Sequence, residues 1–145
     1  LLANEPCHAL NLSSATTFRR QGSFLVRDGE GEGWKGCPTR KLSLKLPMLA
    51  PLVTGQPFAI AERTNGIDLP QGLRRPVLAI PAVDPVRCFA VSFYGPHAAG
   101  TDLDANERAM LSRLARLAAA LYAELEDFRL RHRIAKLEKK FKAQS

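Results

Sequence analysis

Residues 76–82, PVLAIPA, and 87–94, RCFAVSFY, are separated by an Asp84-Pro85 turn, and the whole architecture turns on how they are read. Both runs are rich in β-branched and aromatic residues, which suits strands. A Pro-containing turn between them predicts a central antiparallel hairpin. The breaker segment 95–100, GPHAAG, ends it. A long helix is then predicted from Asp104, which can act as its N-cap, with Glu107 where a capping-box partner belongs.

That helix carries two apolar faces. Met110, Leu114, Leu117, Leu121, Leu125 and Phe128 recur at spacings of three and four and make the larger one. Leu111, Ala115, Ala118 and Tyr122 make a smaller face beside it. Two apolar faces call for two partners: the sheet is expected against the larger, and a second helix, from this chain or another copy, against the smaller. Past Phe128 a new stripe of Leu130, Ile134, Leu137 and Phe141 points roughly 200° away from the Met110 stripe. It is set among basic residues and suits a solvated or coiled-coil helix.

Upstream, residues 14–20 and 23–27 are short β-prone runs around Gln21-Gly22 and read as a hairpin. The segment 28–33, DGEGEG, reads as a flexible turn. Leu42, Leu44 and Leu46 alternate as in a strand. Residues 47–54 read as a short helix closed by Gly55, 57–61 as a strand, and 63–75, with Asn65-Gly66 and a Pro-Gln-Gly run, as a loop. Residues 1–12 read as the end of a helix leading into the domain.

The 145 residues are the size of one domain, with 46% apolar and 24% charged residues. No apolar run approaches the roughly 20 residues that span a bilayer. The formal charge of +7 is uneven. Residues 129–145 hold seven Lys or Arg and one acid, so the body at 1–128 is near neutral and 129–145 is a basic tail, read as a helical linker to a further domain, with an acidic lipid or nucleic-acid contact and a disordered end as the alternative readings. That is no domain-wide footprint for nucleic acid. Cys7, Cys37 and Cys88 form no Cys-x-x-Cys pair, so a reducing, cytoplasmic setting is expected. The chain starts on Leu1 without a signal-peptide pattern and is read as a piece of a larger protein, whose membrane attachment is left open.

The segments 76–81, 89–95 (FAVSFYG) and the helix from Leu103 and Asp104 to Leu121 resemble the closing hairpin and C-terminal helix of a GAF domain of the bacterial sensor type. Residues 52–61, LVTGQPFAIA, are similar to that family's run of helix, Gly, Pro and strand. The resemblance covers most of the chain, with the N-terminal helix truncated. It implies an α/β (α+β) fold with a central antiparallel sheet flanked by helices. It implies a homodimer through the terminal helices, with Leu111, Ala115, Ala118 and Tyr122 as interface candidates. It also implies a regulatory, non-catalytic module beside kinase, cyclase or activator domains. Some members hold a small molecule between sheet and covering loops; others bind nothing and only dimerise or transmit.

A pocket here would be lined from Phe18, Phe24, Trp34, Phe58, Phe89 and Phe93, each of which otherwise packs the core. Trp34 stands out, following the Gly-rich turn and preceding Cys37-Pro38. The cofactor stays open. No cyclic-nucleotide signature follows Asn65, and Cys7-His8 are adjacent but outside the loop where tetrapyrroles attach. His8, His97 and His132 lack metal-ligand spacing, and His97 is expected in an exposed turn. A methionine sulfoxide reductase-like thiol enzyme is the lesser alternative. Cys37 and Cys88 do not align with its motif, and Arg87 adjoins Cys88 on a strand, where neighbours face opposite ways.

Overall fold

The computed structural model describes residues 2–64 and 66–144. The Asn65 half of the Asn65-Gly66 turn thus lies outside the described residues, as do Leu1 and Ser145. The elements are α1 (Asn4–Leu10), β1 (Ala15–Gln21), β2 (Phe24–Arg27), β3 (Lys41–Ser43), β4 (Phe58–Ala59), β5 (Leu78–Val83), β6 (Cys88–Tyr94) and α2 (Ala105–Gln144). Two 3₁₀ segments, Pro47–Thr54 and Gly72–Arg74, flank β4. The strands form one antiparallel sheet in the order β3-β2-β1-β6-β5-β4.

Local chemistry explains most boundaries. β1 and β2 are joined by a tight turn of Gly22 and Ser23, with Gln21 paired to Phe24, one residue later than the sequence suggested. Gly22 takes φ 62° at the first central position, where such hairpin turns need glycine. The 3₁₀ segment at Pro47–Thr54 ends on Gly55 in the left-handed region, whose N–H bonds the Leu52 carbonyl. Asp84 organises the β5–β6 turn by accepting from the N–H groups of Val86 (2.8 Å) and Arg87 (2.6 Å). These bonds favour its charged form and hold the Asp84 carboxyl below its usual value. At the start of α2 the capping box is complete. Glu107 N–H donates to Asp104 Oδ1 at 2.8 Å, and Asp104 N–H donates to Glu107 Oε1 at 2.9 Å.

The sheet divides two cores. On one face, α1 and α2 pack over Leu78, Ile80, Ala82, Ala90 and Tyr94. On the other, residues 28–40, 44–52 and 60–69 cover Phe18, Leu25, Leu42, Ala79, Val91 and Phe93. Strict alternation would put Phe89 with Val91 and Phe93. Instead Ala82 pairs with Ala90 and Val83 with Cys88, so Phe89 is the extra residue of a β-bulge and turns to the α2 face.

The helix α2 exchanges the expected roles of its faces. Leu111, Ala115, Ala118 and Ala119 are buried against the sheet, with Tyr122 packed beside them. The Met110 stripe lies open instead: Leu117 is 65% exposed and Phe128 67%. At Ala115, Ala118 and Ala119 the small side chains let the helix axis approach the strands closely. The four residues expected at a dimer interface are therefore occupied within their own chain. No helix among the described residues is long and apolar enough to cross a membrane.

Candidate functional site

The six aromatic candidates do not converge on one cavity. Phe18, Trp34 and Phe93 are fully buried and fill the space between sheet and covering loops with one another. Their ring centroids lie 5.7 Å (Phe18–Trp34), 5.4 Å (Phe18–Phe93) and 6.2 Å (Trp34–Phe93) apart, the first two edge to face. Phe58, half-buried on β4, packs against the same layer. Phe24 is exposed near the sheet edge, with the Lys41 ammonium 4.0 Å above its ring. The bulge places Phe89 on the other face, where it meets Tyr122 at 6.1 Å.

What holds this aromatic layer shut was not visible in the sequence. Arg27 is buried, and its guanidinium donates to the carbonyls of Trp34 at 3.5 Å and Cys37 at 3.2 Å. Its side chain ties down the far end of the segment that follows it. The nearer end, DGEGEG, is no free turn. Glu32 pairs with Ala15 through N–H···O bonds of 2.9 and 2.7 Å, and Gly31 and Gly33 lie directly on β1 and its approach.

Open space lies elsewhere, at the β5 edge of the sheet. Because β4 pairs only with Leu78 and Ala79, the rest of β5 has no strand beyond it among the described residues. A cleft of about 540 Å³ opens there. Its walls are the end of the Pro47–Thr54 segment through Pro57, the β5–β6 turn, and Ser112 and Arg116 on α2. Pro81 lines it without a backbone N–H to offer, which blunts this edge against another strand. Arg87 and Cys88 stand at the same wall. Arg87 is the charged link between cleft and helix: its guanidinium donates to Glu126 at 2.6 Å and lies 3.6 Å from Asp84.

The thiols are unpaired. Burial pushes both Cys88 and Cys7 upward, away from the thiolate that a reactive cysteine needs. Among the described residues no three His, Cys, Asp or Glu side chains cluster as metal ligands would. His97 is not the exposed turn residue expected. Its Nδ1 faces the Leu10 carbonyl at 2.8 Å and its Nε2 faces Glu107 Oε1 at 2.9 Å, so it clasps the end of α1 to the start of α2. Both neighbours are acceptors, so the doubly protonated ring is the form that satisfies both of them. The Glu107 bond raises its pKa accordingly.

No model of a known protein family matches this sequence. No curated protein matches it either. Solved structures do. The GAF domain of a phosphoenolpyruvate-protein phosphotransferase from Acinetobacter superposes with a TM-score of 0.64 at 12% identity, over 87% of this chain and 80% of that one. The GAF domain of a phosphoenolpyruvate-protein phosphotransferase (ptsP) from Coxiella burnetii does so at 0.59 and 14% identity, over 83% and 77%. At such identities the likeness speaks to architecture, and the architecture is GAF-like, as the strand and helix pattern suggested.

Proposed function

We propose that this chain is a regulatory domain of a larger signalling protein, that it senses a small molecule at the β5-edge cleft, and that two copies associate through α2. The observation that carries the reading is the shared wall of cleft and helix. Ser112 and Arg116 of α2 line the cleft directly, and Arg87 reaches from it to Glu126, the last residue of α2 that is not exposed. A ligand in the cleft would therefore touch the element that leaves the domain. Arg87 is matched by Asp84 and Glu126, whereas Arg116 stands exposed at the rim. That balance favours a small, partly apolar molecule bearing one anionic group. The open Met110 stripe supports association of copies, and three unpaired thiols suit a cytoplasmic setting.

The test is native mass spectrometry of the purified protein, followed by thermal shift with nucleotides, cyclic nucleotides, haem and small organic acids. A ligand that binds the native state raises its melting temperature by mass action. We expect a shift with one anionic compound that disappears in Arg116→Ala. An unliganded mass and no shift would reject the sensing step. They would favour a second reading, a ligand-free association module, which the filled Phe18–Trp34–Phe93 layer supports.

A further inference from the structure

We infer that the basic end of α2 and the rim of the β5-edge cleft form one surface that lies on an anionic lipid membrane. This goes beyond the reading above and needs neither a ligand in the cleft nor a second copy. Every residue from 127 to 144 is exposed. Within that stretch Leu130, Ile134, Leu137 and Phe141 repeat at spacings of four, three and four, so they share one face of the helix. From Arg129 to Lys142 seven Lys or Arg stand against Glu138 alone, a net charge of +6. At about 100° per residue, Arg133 and Lys140 border the stripe on one side, with Arg129 and Lys136 behind them. Arg131 and Lys142 lie on the other side, beside Glu138. A helix of this kind lies flat at a lipid interface. Its stripe enters the acyl boundary while the long basic side chains reach anionic headgroups.

Charge selects this occupant over a second copy. Paired helices run about 8–10 Å apart, near one Debye length at physiological salt, so self-pairing would set +6 against +6. Continuing the spacing of four and three toward the body also puts Asp127 into such a seam. An anionic bilayer turns the same charge into attraction. Nucleic acid fits the charge but leaves the apolar stripe in water.

The body agrees in direction. On the same wheel the stripe falls on the side of α2 that carries Ser112 and Arg116, about 90° from the Ala115 face that meets the sheet and far round from the Met110 stripe. Ser112 and Arg116 wall the cleft, whose lining also includes Val53 and Val86. These two valines are the most exposed large apolar residues described, at 93% and 87%. Arg116, exposed at the rim, adds a cation to that side. Apolar side chains held in water on the side to which a basic amphipathic helix points are what a lipid surface would cover. The Met110 stripe stays on the opposite side, open for association.

The experiment uses the full chain and vesicles of phosphatidylcholine, alone or mixed with phosphatidylserine. Co-sedimentation is expected only with phosphatidylserine and should weaken at high salt. Leu137→Glu and the double variant Lys136→Glu/Lys140→Glu should each weaken it at least about tenfold. Both change exposed residues, and unchanged Trp34 emission checks the fold. For the orientation, an environment-sensitive fluorophore is attached to Leu137→Cys, Val86→Cys or Leu117→Cys, with the labelled parent chain as control for its own thiols. Vesicles should blue-shift the labels at positions 137 and 86 and leave that at 117 unmoved. No sedimentation, or equal sedimentation on phosphatidylcholine alone, would overturn the proposal. A label at 86 that stays unmoved, or one at 117 that shifts, would overturn the shared face. Self-association lost in Leu137→Glu, without vesicle binding, would give the stripe to a second copy and refute the lipid contact. So would binding of single-stranded RNA that survives Leu137→Glu but not Lys136→Glu/Lys140→Glu, again without vesicle binding, by giving the charge to nucleic acid.

Discussion

His97 shows how much one side chain can join. Its two nitrogens face the Leu10 carbonyl and Glu107, while Asp104 adds a second negative charge nearby. The charged imidazolium is the form this site favours, so the folded pKa lies above the ordinary value of 6.5. A raised folded pKa means stability that is fully present below 6.5 and is lost as pH rises through the folded value. Melting curves of wild type and His97→Gln between pH 5 and 9 should therefore differ most at the acid end and draw together as the pH rises. A gap independent of pH would mean that the clasp works by shape alone. Glycine sets a different constraint. Gly22 and Gly33 both have positive φ, but a Cβ at Gly22 would meet open space, whereas one at Gly33 would fall 2.7 Å from the Ser13 carbonyl oxygen. Gly22→Ala should cost about 1–2 kcal/mol for the left-handed backbone. Gly33→Ala should cost about 3 kcal/mol or more, because strain and overlap add. Urea midpoints of the two variants measure the difference, and equal midpoints would show that the 28–33 segment can lift off β1 freely.

At the scale of elements, what was legible in the sequence came from short-range chemistry. The capping box of Asp104 and Glu107, the 3₁₀ segment closed by Gly55 and the β5–β6 hairpin each depend on residues within a few positions of one another. Leu44 and Leu46, read as the rest of a strand, fall beyond β3, which ends at Ser43. What failed depended on distance. Apolar periodicity ranks leucine above alanine, so it assigned the sheet to the Met110 stripe; close approach of helix to strand selected Ala115, Ala118 and Ala119 instead. The bulge that redirects Phe89 is a mismatch between two strands and has no signature within either. Likewise the cleft is walled by segments from Leu52 to Arg116, and the Arg27 clamp on Trp34 has no local signal. The exchange of faces can be tested directly. Ala115→Leu should destabilise by about 1–3 kcal/mol, since the buried site has no room for three more carbons. Leu121→Gln, at a residue 54% exposed, should change the stability of the isolated chain by no more than about 0.5 kcal/mol while weakening any dimer built on that stripe. The opposite ranking would restore the sheet to the larger face.

At the scale of the whole molecule the chain is a packed body with a helix continuing beyond it. Trp34 is the only tryptophan, is fully buried, and touches the layer that closes one face of the sheet. Its emission therefore reports the body alone. Helical circular dichroism reports α2 along its full 40 residues, of which the last 18, from 127 to 144, are all exposed. A helix of that length is marginal in water without tertiary packing. In dilute solution the two probes should accordingly separate. Ellipticity at low urea should fall gradually as the exposed end frays, while Trp34 emission stays constant until one sharp transition carries the rest. Raising the protein concentration should remove the early loss if a second copy covers the Leu130 to Phe141 stripe, because association stabilises the paired helix by mass action. An early loss unchanged by concentration would leave that stripe to a different partner. Coincident transitions at every concentration would mean that the exposed end is held by contacts within its own chain.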